Sequence, residues 1–325
     1  MSPGSPARGQ AAPQLDVSII IPTRNRAHEL PHALESLARQ ETGRQFAYEV
    51  LIVDNGSTDK TPAVVEGLQA SFPASLRYLR EGRAGKSYAL NTGMSAAAGQ
   101  ILVVLDDDIV VTPGWLRALW TCFAQEQADA VSGRVLPAWM GPLPAWFDDE
   151  VQRHLNHTGL GCKDHGTARR RTADGQDCLW VGGNMAIRRE GARRVGDFHL
   201  ALVRGQDTEY YERCISRGLR IVYEPEALAY HQIGPERLSV QVFRQWRHRQ
   251  GYYEAMLLPW KASHVITVMP LWRWATTLKA LWVWALTQVR SRSRWERFYT
   301  ELKLREQIGG WAYRIQHWPG RRAHG

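Results

Sequence analysis

With 325 residues, 44% of them apolar, and 14 Trp, the chain can bury a substantial core and does not have the composition of a disordered protein. Its four Cys (Cys122, Cys162, Cys178, Cys214) form no CxxC pair, which argues against a zinc site or a redox dithiol. A reducing compartment with free thiols fits, and nothing requires Cys162 and Cys178 to pair. The net charge of +9 is uneven: from Gln241 to the end there are 15 Lys and Arg against 4 Glu and no Asp, a net of +11, leaving 9 − 11 = −2 for the first 240 residues.

Residues 1–14 are rich in Pro, Gly, Ala and Ser and lack the apolar core of a signal peptide. They are expected to form a disordered tail on a protein of the cytoplasm. Val17 to Pro22 is a short β-branched run that predicts a buried strand, and Leu30, Leu34 and Leu37 then share one helical face. Tyr48 to Val53 predicts a second strand, stopped by Asp54-Asn55-Gly56-Ser57. Thr58 or Asp59 is placed to cap a helix through Leu68. Leu76 to Leu79 reads as a third strand, Ser87 to Ala98 as a helix and Ile101 to Leu105 as a fourth strand. Such alternation predicts an α/β fold, a mainly parallel sheet with helices on both faces. Ligands of these sheets lie beyond the carboxyl ends of the strands, where Thr23, Asp54 and Asp106 all fall.

Asp106-Asp107-Asp108 follows directly on the apolar run Ile101–Leu105 and precedes Ile109-Val110-Val111. Unpaired carboxylates between apolar stretches are costly to desolvate. A hard divalent cation, Mg²⁺ or Mn²⁺, removes that cost and bridges carboxylates to substrate phosphates. The alternative is a solvated acidic turn. Two other nucleotide folds are set aside. Pro22 to Arg26 contains no glycine, so the GxGxxG fingerprint of a dehydrogenase is absent. Gly82 to Ser87 lacks the first glycine of a P-loop, with Arg80 in its place.

Seven stretches, taken together and in this order, resemble the family 2 glycosyltransferases of GT-A fold. They are VSIIIPTRNR (17–26), EVLIVDNGST (49–58), GKSYALNTGMSAAA (85–98), LDDDI (105–109), VGGNMA (181–186), GQDTE (205–209) and Tyr230-His231. The resemblance covers about Val17 to His231. It implies a Rossmann-like mixed sheet and transfer of a sugar from a nucleoside diphosphate to an acceptor, usually with inversion.

What the resemblance implies for individual residues can be set beside their plainer roles. Asp54 would bind the nucleoside, and is equally suited to an Asx-turn. Thr23 and Arg26 would lie beside the base, or start a helix. Asp106 and Asp108 form the DxD motif, with Asp108 on Mn²⁺ or Mg²⁺ and Asp106 near the ribose or the metal. Lys86 and Arg83 would add positive charge, or sit on a surface loop. Asp207 falls on the catalytic base that takes the acceptor proton, while Asp207 and Glu209 also suit the first turn of a helix through Arg217. Gln206 stands where the family usually has Glu, which removes a neighbouring negative charge. His231 would complete the metal site, or serve structurally. Gly183 and Asn184 would bring backbone close to the donor sugar or acceptor. Trp139, Trp146 and Trp180 flank the acceptor region, with core packing the plainer role for any one of them. The polar stretch from Gln152 to Asp177, with Arg169-Arg170-Arg171, is read as a loop that orders on substrate binding.

The C-terminal segment is basic and rich in Trp. Gln241, Arg244 and Trp246 approach the QxxRW motif of processive synthases, but the register fails. His264 to Val289 is the one candidate span, and Arg273 and Lys279 make it costly in a bilayer. Amphipathic helices on the inner membrane surface fit better; a helical subdomain on the catalytic core is the alternative. The expected organisation is therefore a tail (1–14), a GT-A domain (15–235) and a helical extension (236–325). Its partners would be a UDP-, GDP- or dTDP-linked sugar, a glycan or lipid-linked acceptor and the inner face of the cell membrane, with no nucleic acid. The rivals are a nucleotidyltransferase acting on a sugar phosphate and a non-catalytic, membrane-bound sugar-nucleotide or glycan-binding module.

Overall fold

A computed structural model describes residues 15–154, 159–172, 182–203, 205–257, 265–266 and 269–317. The expected tail, Cys178 and Trp180 lie outside the described residues. In chain order the elements are β1 (Val17–Thr23), α1 (Leu30–Ala38), β2 (Tyr48–Asp54), α2 (Thr61–Gln69), β3 (Ser75–Arg80), α3 (Lys86–Ala96), β4 (Ile101–Leu105), β5 (Ile109–Val111), α4 (Trp115–Glu126), β6 (Ala130–Trp139), α5 (Asp149–Gln152) and β7 (Arg170–Arg171). They continue with β8 (Asn184–Arg188), α6 (Arg189–Val195), α7 (Gln206–Ser216), β9 (Ile221–Ile233), α8 (Val240–Leu257), β10 (Val265–Ile266), β11 (Met269–Pro270), α9 (Leu271–Arg290) and α10 (Arg294–Gln316).

Nine strands make one sheet in the order β3-β2-β1-β4-β8-β6-β9-β5, with β7 also pairing β9. β3, β2, β1 and β4 are parallel, joined by helical crossovers. Strands of this kind are covered on both faces, and Ile19, Ile20 and Ile21 are all fully buried. Each such side chain contributes roughly 1.5–3 kcal/mol. Beyond β4 the pairing turns antiparallel, at β4–β8 and β8–β6. The sheet is therefore mixed, as a GT-A fold requires. α3 approaches closely because Gly93 has no side chain: a Cβ there would lie 2.3 Å from Ile20.

The chain divides into two compact units. The first comprises residues 1–134, 165–200 and 210–229, and the second 135–164, 201–209 and 230–325. The first is built on the sheet, with Leu51, Val53, Leu102, Val104, Met185, Phe198 and Tyr210 in one apolar cluster. The second has its own core of Phe147, Val151, Leu160, Phe243, Trp295 and Leu302. Within it α8 lies against α10, through ion pairs from Arg244 to Glu301 and from Arg247 to Glu306, both at 2.7 Å. The residues that approach a QxxRW motif thus lie on a packed helix. Trp146 donates from Nε1 to the carbonyl of Leu238 and meets Phe147, Phe243 and Phe298 edge-on. Trp139 packs on Phe147.

Arg170 and Arg171, expected in a loop, form β7. Arg169 binds Glu126 and Glu224, and Arg171 binds Glu126, so this stretch is pinned to the first unit. No helix among the described residues is long and apolar enough to cross a membrane.

Candidate active site

Four loops at the carboxyl ends of parallel strands knit together in the first unit. The loop after β1 accepts at Thr23 O from Asn55 N–H (2.8 Å), and Asn25, at φ 54°, places its side-chain oxygen to accept from Thr58 N–H (2.8 Å). Asn55 then joins the third loop, donating to Arg83 O (2.7 Å) and accepting from Gly85 N–H (2.7 Å). Glu81 N–H donates to Asp54 O (2.8 Å). The fourth loop, Asp106 to Asp108, is tied to the first by the Thr23 hydroxyl, which donates to Asp107 Oδ2 (2.7 Å).

Thr23, Arg26, Asp54, Arg83, Lys86, Asp106 and Asp108 lie on these loops or directly beside them. Asp54 is buried at the end of β2: Oδ1 accepts from Ser57 N–H (2.8 Å) and Oδ2 from the Tyr78 hydroxyl (2.5 Å). Burial, and then the bond to Asp54, push the Tyr78 hydroxyl up to about 12. Asp54 therefore makes the Asx-type turn bond while remaining at the mouth of the sheet. Arg26 reaches Glu29 (3.2 Å), Asp107 (3.6 Å) and Asp108 (3.9 Å). Lys86 Nζ lies 2.5 Å from Asp106 Oδ1. Arg83 is forked onto Glu81 and stacked over Tyr88. Hydrogen bonds from Arg83 and Thr92 bring the Glu81 carboxyl down to about 2.

The three aspartates thus face two cations, Arg26 and Lys86. Burial, with repulsion from Asp108 next, pushes the Asp107 carboxyl up to about 7 despite the bond from Thr23 and the nearness of Arg26. The loop's donor atoms are all hard oxygens, and Gly183 lets the backbone pack directly against Asp106: a Cβ there would come within 2.8 Å of Asp106 Oδ2. The carboxylates of Asp106 and Asp108 are the ligand type that Mg²⁺ and Mn²⁺ take, with the remaining ligands from phosphates and water. Among the described residues no cluster of three or more His, Cys, Asp or Glu forms a complete protein cage for a metal.

Asn184 sits beneath this surface. It is fully buried and its side chain is spent inside the sheet: Oδ1 accepts from Trp115 Nε1 (2.9 Å), and Nδ2 donates to Ala227 O (3.0 Å) and Arg134 O (3.3 Å).

Asp207 and His231 belong to the second unit. Asp207 is half-buried in the first turn of α7, just after Gly205, whose φ of 73° suits glycine. His231 is buried near the end of β9, where Nε2 accepts from Arg237 (2.9 Å), and a Cβ at Gly161 would lie 3.1 Å from its Nδ1.

Sequence reasoning passed over Asn55, Tyr78, Glu81 and Asp107. The signal for Glu81 was its place just past a strand end, two residues before Arg83. Tyr78 gave none, because only the register of β3 on β2 brings it to Asp54.

The profile of the family described as Glycosyl transferase family 2 matches residues 18–196, which is 179 of 325 residues. Among curated proteins, the chain is similar to the succinoglycan biosynthesis protein ExoM of Rhizobium meliloti, 28% identical over 73% of this chain and 74% of that one. It is also similar to the glycosyltransferase AglE of Haloferax volcanii, 24% identical over 79% of each. Among solved structures, it is similar to the mannosyltransferase PcManGT from Pyrobaculum calidifontis in complex with GDP-Man and Mn²⁺, with TM-score 0.61 and 18% identity over 94% of this chain and 88% of that one. Residues 1–349 of S. aureus TarS in complex with UDP give TM-score 0.55 and 14% identity over 95% and 92%.

Proposed function

The chain belongs to glycosyl transferase family 2 and is a glycosyltransferase, and from that premise we propose that it moves a sugar, with inversion, from a nucleoside diphosphate to a hydroxyl of a glycan or lipid-linked acceptor in cell-surface polysaccharide or glycoconjugate assembly. The observation that carries this reading is the four knitted loops, which bring three aspartates together with Arg26 and Lys86 at the carboxyl ends of the parallel strands. The UDP and GDP-Man in the two structurally similar proteins support a nucleotide-linked donor.

In this reading Asp54, with Thr23 beside it, accepts hydrogen bonds from the nucleoside. Arg26 and Lys86 face the diphosphate, and Arg83 stands at the rim, its direction fixed by Glu81. Mn²⁺ or Mg²⁺ held by Asp106 and Asp108 would neutralise the charge that grows on the departing nucleoside diphosphate. Lys86 can then release Asp106 and turn its charge toward the phosphates. Asp207 takes the proton from the acceptor hydroxyl as the new bond forms. His231 is kept in this reading as a candidate metal ligand. The net +11 of the C-terminal segment supports a peripheral place on the inner face of the cell membrane.

The test is release of nucleoside diphosphate from UDP-, GDP- and dTDP-sugars with Mn²⁺ or Mg²⁺ and then with EDTA. Release from one donor, lost with EDTA, is expected. Asp207→Asn should abolish transfer and change donor affinity by less than about twofold, because the base acts only in the chemical step. Near-normal turnover in that variant removes Asp207 from the role, and pyrophosphate release from a triphosphate would replace the reading with nucleotidyl transfer.

A further inference from the structure

Helix α9 turns its apolar side outward. At 3.6 residues per turn, Trp274, Leu278, Leu281, Trp282, Ala285 and Val289 fall on one arc about 100° wide and roughly 22 Å long. All six are exposed, Leu278 at 59%, Trp282 at 65% and Val289 at 86%. The opposite side, which packs inside the second unit, mixes part-buried Ala280, Val283 and Trp284 with polar residues. Arg273 is buried there, Thr277 accepts from Trp311 Nε1 (2.9 Å), and the hydroxyls of Thr287 and Thr300 bond at 2.8 Å. An ordinary surface helix keeps its apolar stripe toward the core and presents polar residues to water.

The charges around the stripe identify what covers it. Exposed Lys279 and Arg290 lie together along one flank. No Asp or Glu occurs between Glu254 and Glu296, while Lys261, Arg273, Lys279, Arg290, Arg292 and Arg294 do. An apolar stripe with Trp in it and basic residues along its edge matches a bilayer interface, where rings and Leu enter the headgroup–acyl boundary and cations meet lipid phosphates. A protein partner would not require an edge free of acids.

We propose that this face of α9 docks flat on an anionic phospholipid bilayer, Leu278, Leu281 and Trp282 entering the boundary while Lys279 and Arg290 engage the phosphates. This rests on the membrane-surface reading above and names the face responsible. No helix among the described residues is long and apolar enough to cross a membrane, which matches a helix lying in the surface.

The test is flotation of the full chain with vesicles of 3:1 phosphatidylcholine and phosphatidylglycerol, and with phosphatidylcholine alone. Partition is expected to be at least tenfold higher on the anionic vesicles. A Leu278→Ser, Leu281→Ser, Trp282→Ser variant should lose at least tenfold of it, and Lys279→Glu with Arg290→Glu at least threefold. Both variants should keep the wild-type circular dichroism and nucleotide release in vesicle-free solution. Vesicle binding unchanged by the triple variant overturns the assignment to α9 and leaves the membrane reading standing; no binding by the wild type overturns both. A dimer in light scattering that the triple variant splits gives the face to a second copy and overturns the proposal.

Discussion

Asn184 separates a residue that supports the site from one that touches substrate. Asn184→Ala removes one acceptor and two donated hydrogen bonds in a fully buried place, and strands the Trp115 N–H with no water to replace its partner. Three bonds at about 1 kcal/mol each, plus the penalty for a buried orphan donor, come to about 3–5 kcal/mol. For a domain of 150–250 residues, 1 kcal/mol shifts the melting temperature by about 2–4 °C, so a fall of roughly 6–20 °C is expected. Trp115 lies at the lesion, so intrinsic fluorescence in a thermal or urea series reports it directly. Nucleotide release, measured well below the new midpoint, should stay within about tenfold of wild type. A stability loss under about 1 kcal/mol together with a collapse of activity would refute the reasoning and put the Asn184 side chain on the substrate.

At Gly183, alanine would force a Cβ to within 2.8 Å of both Asp106 Oδ2 and Ile109, so Gly183→Ala should raise the donor KM severalfold while costing about 1–3 kcal/mol of stability; an unchanged KM in donor titration would contradict the close approach. Glu49 supplies a pH signature. Burial pushes its carboxyl up, but hydrogen bonds from Ser18, Arg77 and the Ala98 N–H outweigh that and hold it below its usual range. Its contribution is therefore complete above about pH 4.3, the unfolded value, and is lost as pH falls through the lower folded value. Glu49→Gln should be less stable than wild type at pH 7 by about 1–3 kcal/mol and should converge with it toward pH 3 in urea titrations. A gap that does not close with acid would assign the effect to packing.

The parallel half of the sheet was legible because strand and helix signals alternate there with little ambiguity: Ile19–Ile21, Val50–Val53 and Val103–Leu105 are apolar runs closed by Pro or Asp. The meeting of the loops that carry Thr23, Asp54 and Asp106 followed from that order, since loops at the same end of neighbouring parallel strands must meet. The antiparallel half was less legible, although Ala227 to Tyr230 reads as a strand and lies in β9. β8 is only five residues long and begins with Asn184, a polar residue whose burial is intelligible only once Trp115 and the Ala227 carbonyl are known to surround it. β7 is two arginines, held by acids from distant parts of the chain. The start of α2 was placed too early. Asp59 bonds Thr61 and reaches across to Ala27 N–H, and the helix begins at Thr61 beside Pro62. Asp107 was hidden between the two aspartates of a recognisable motif, although it is the one that receives the Thr23 hydroxyl.

The ends of the sheet bear on how this protein behaves in a crowded solution. One border is β3, which carries Arg77 and Arg80 among its six residues, and the other is β5, only three residues long. Cationic and very short borders are poor templates for recruiting a foreign strand. Backbone-to-backbone annealing of two copies is thereby discouraged at both margins, so a concentrated, partly heated preparation should cloud through its exposed tryptophan-bearing helix before it forms cross-β fibrils.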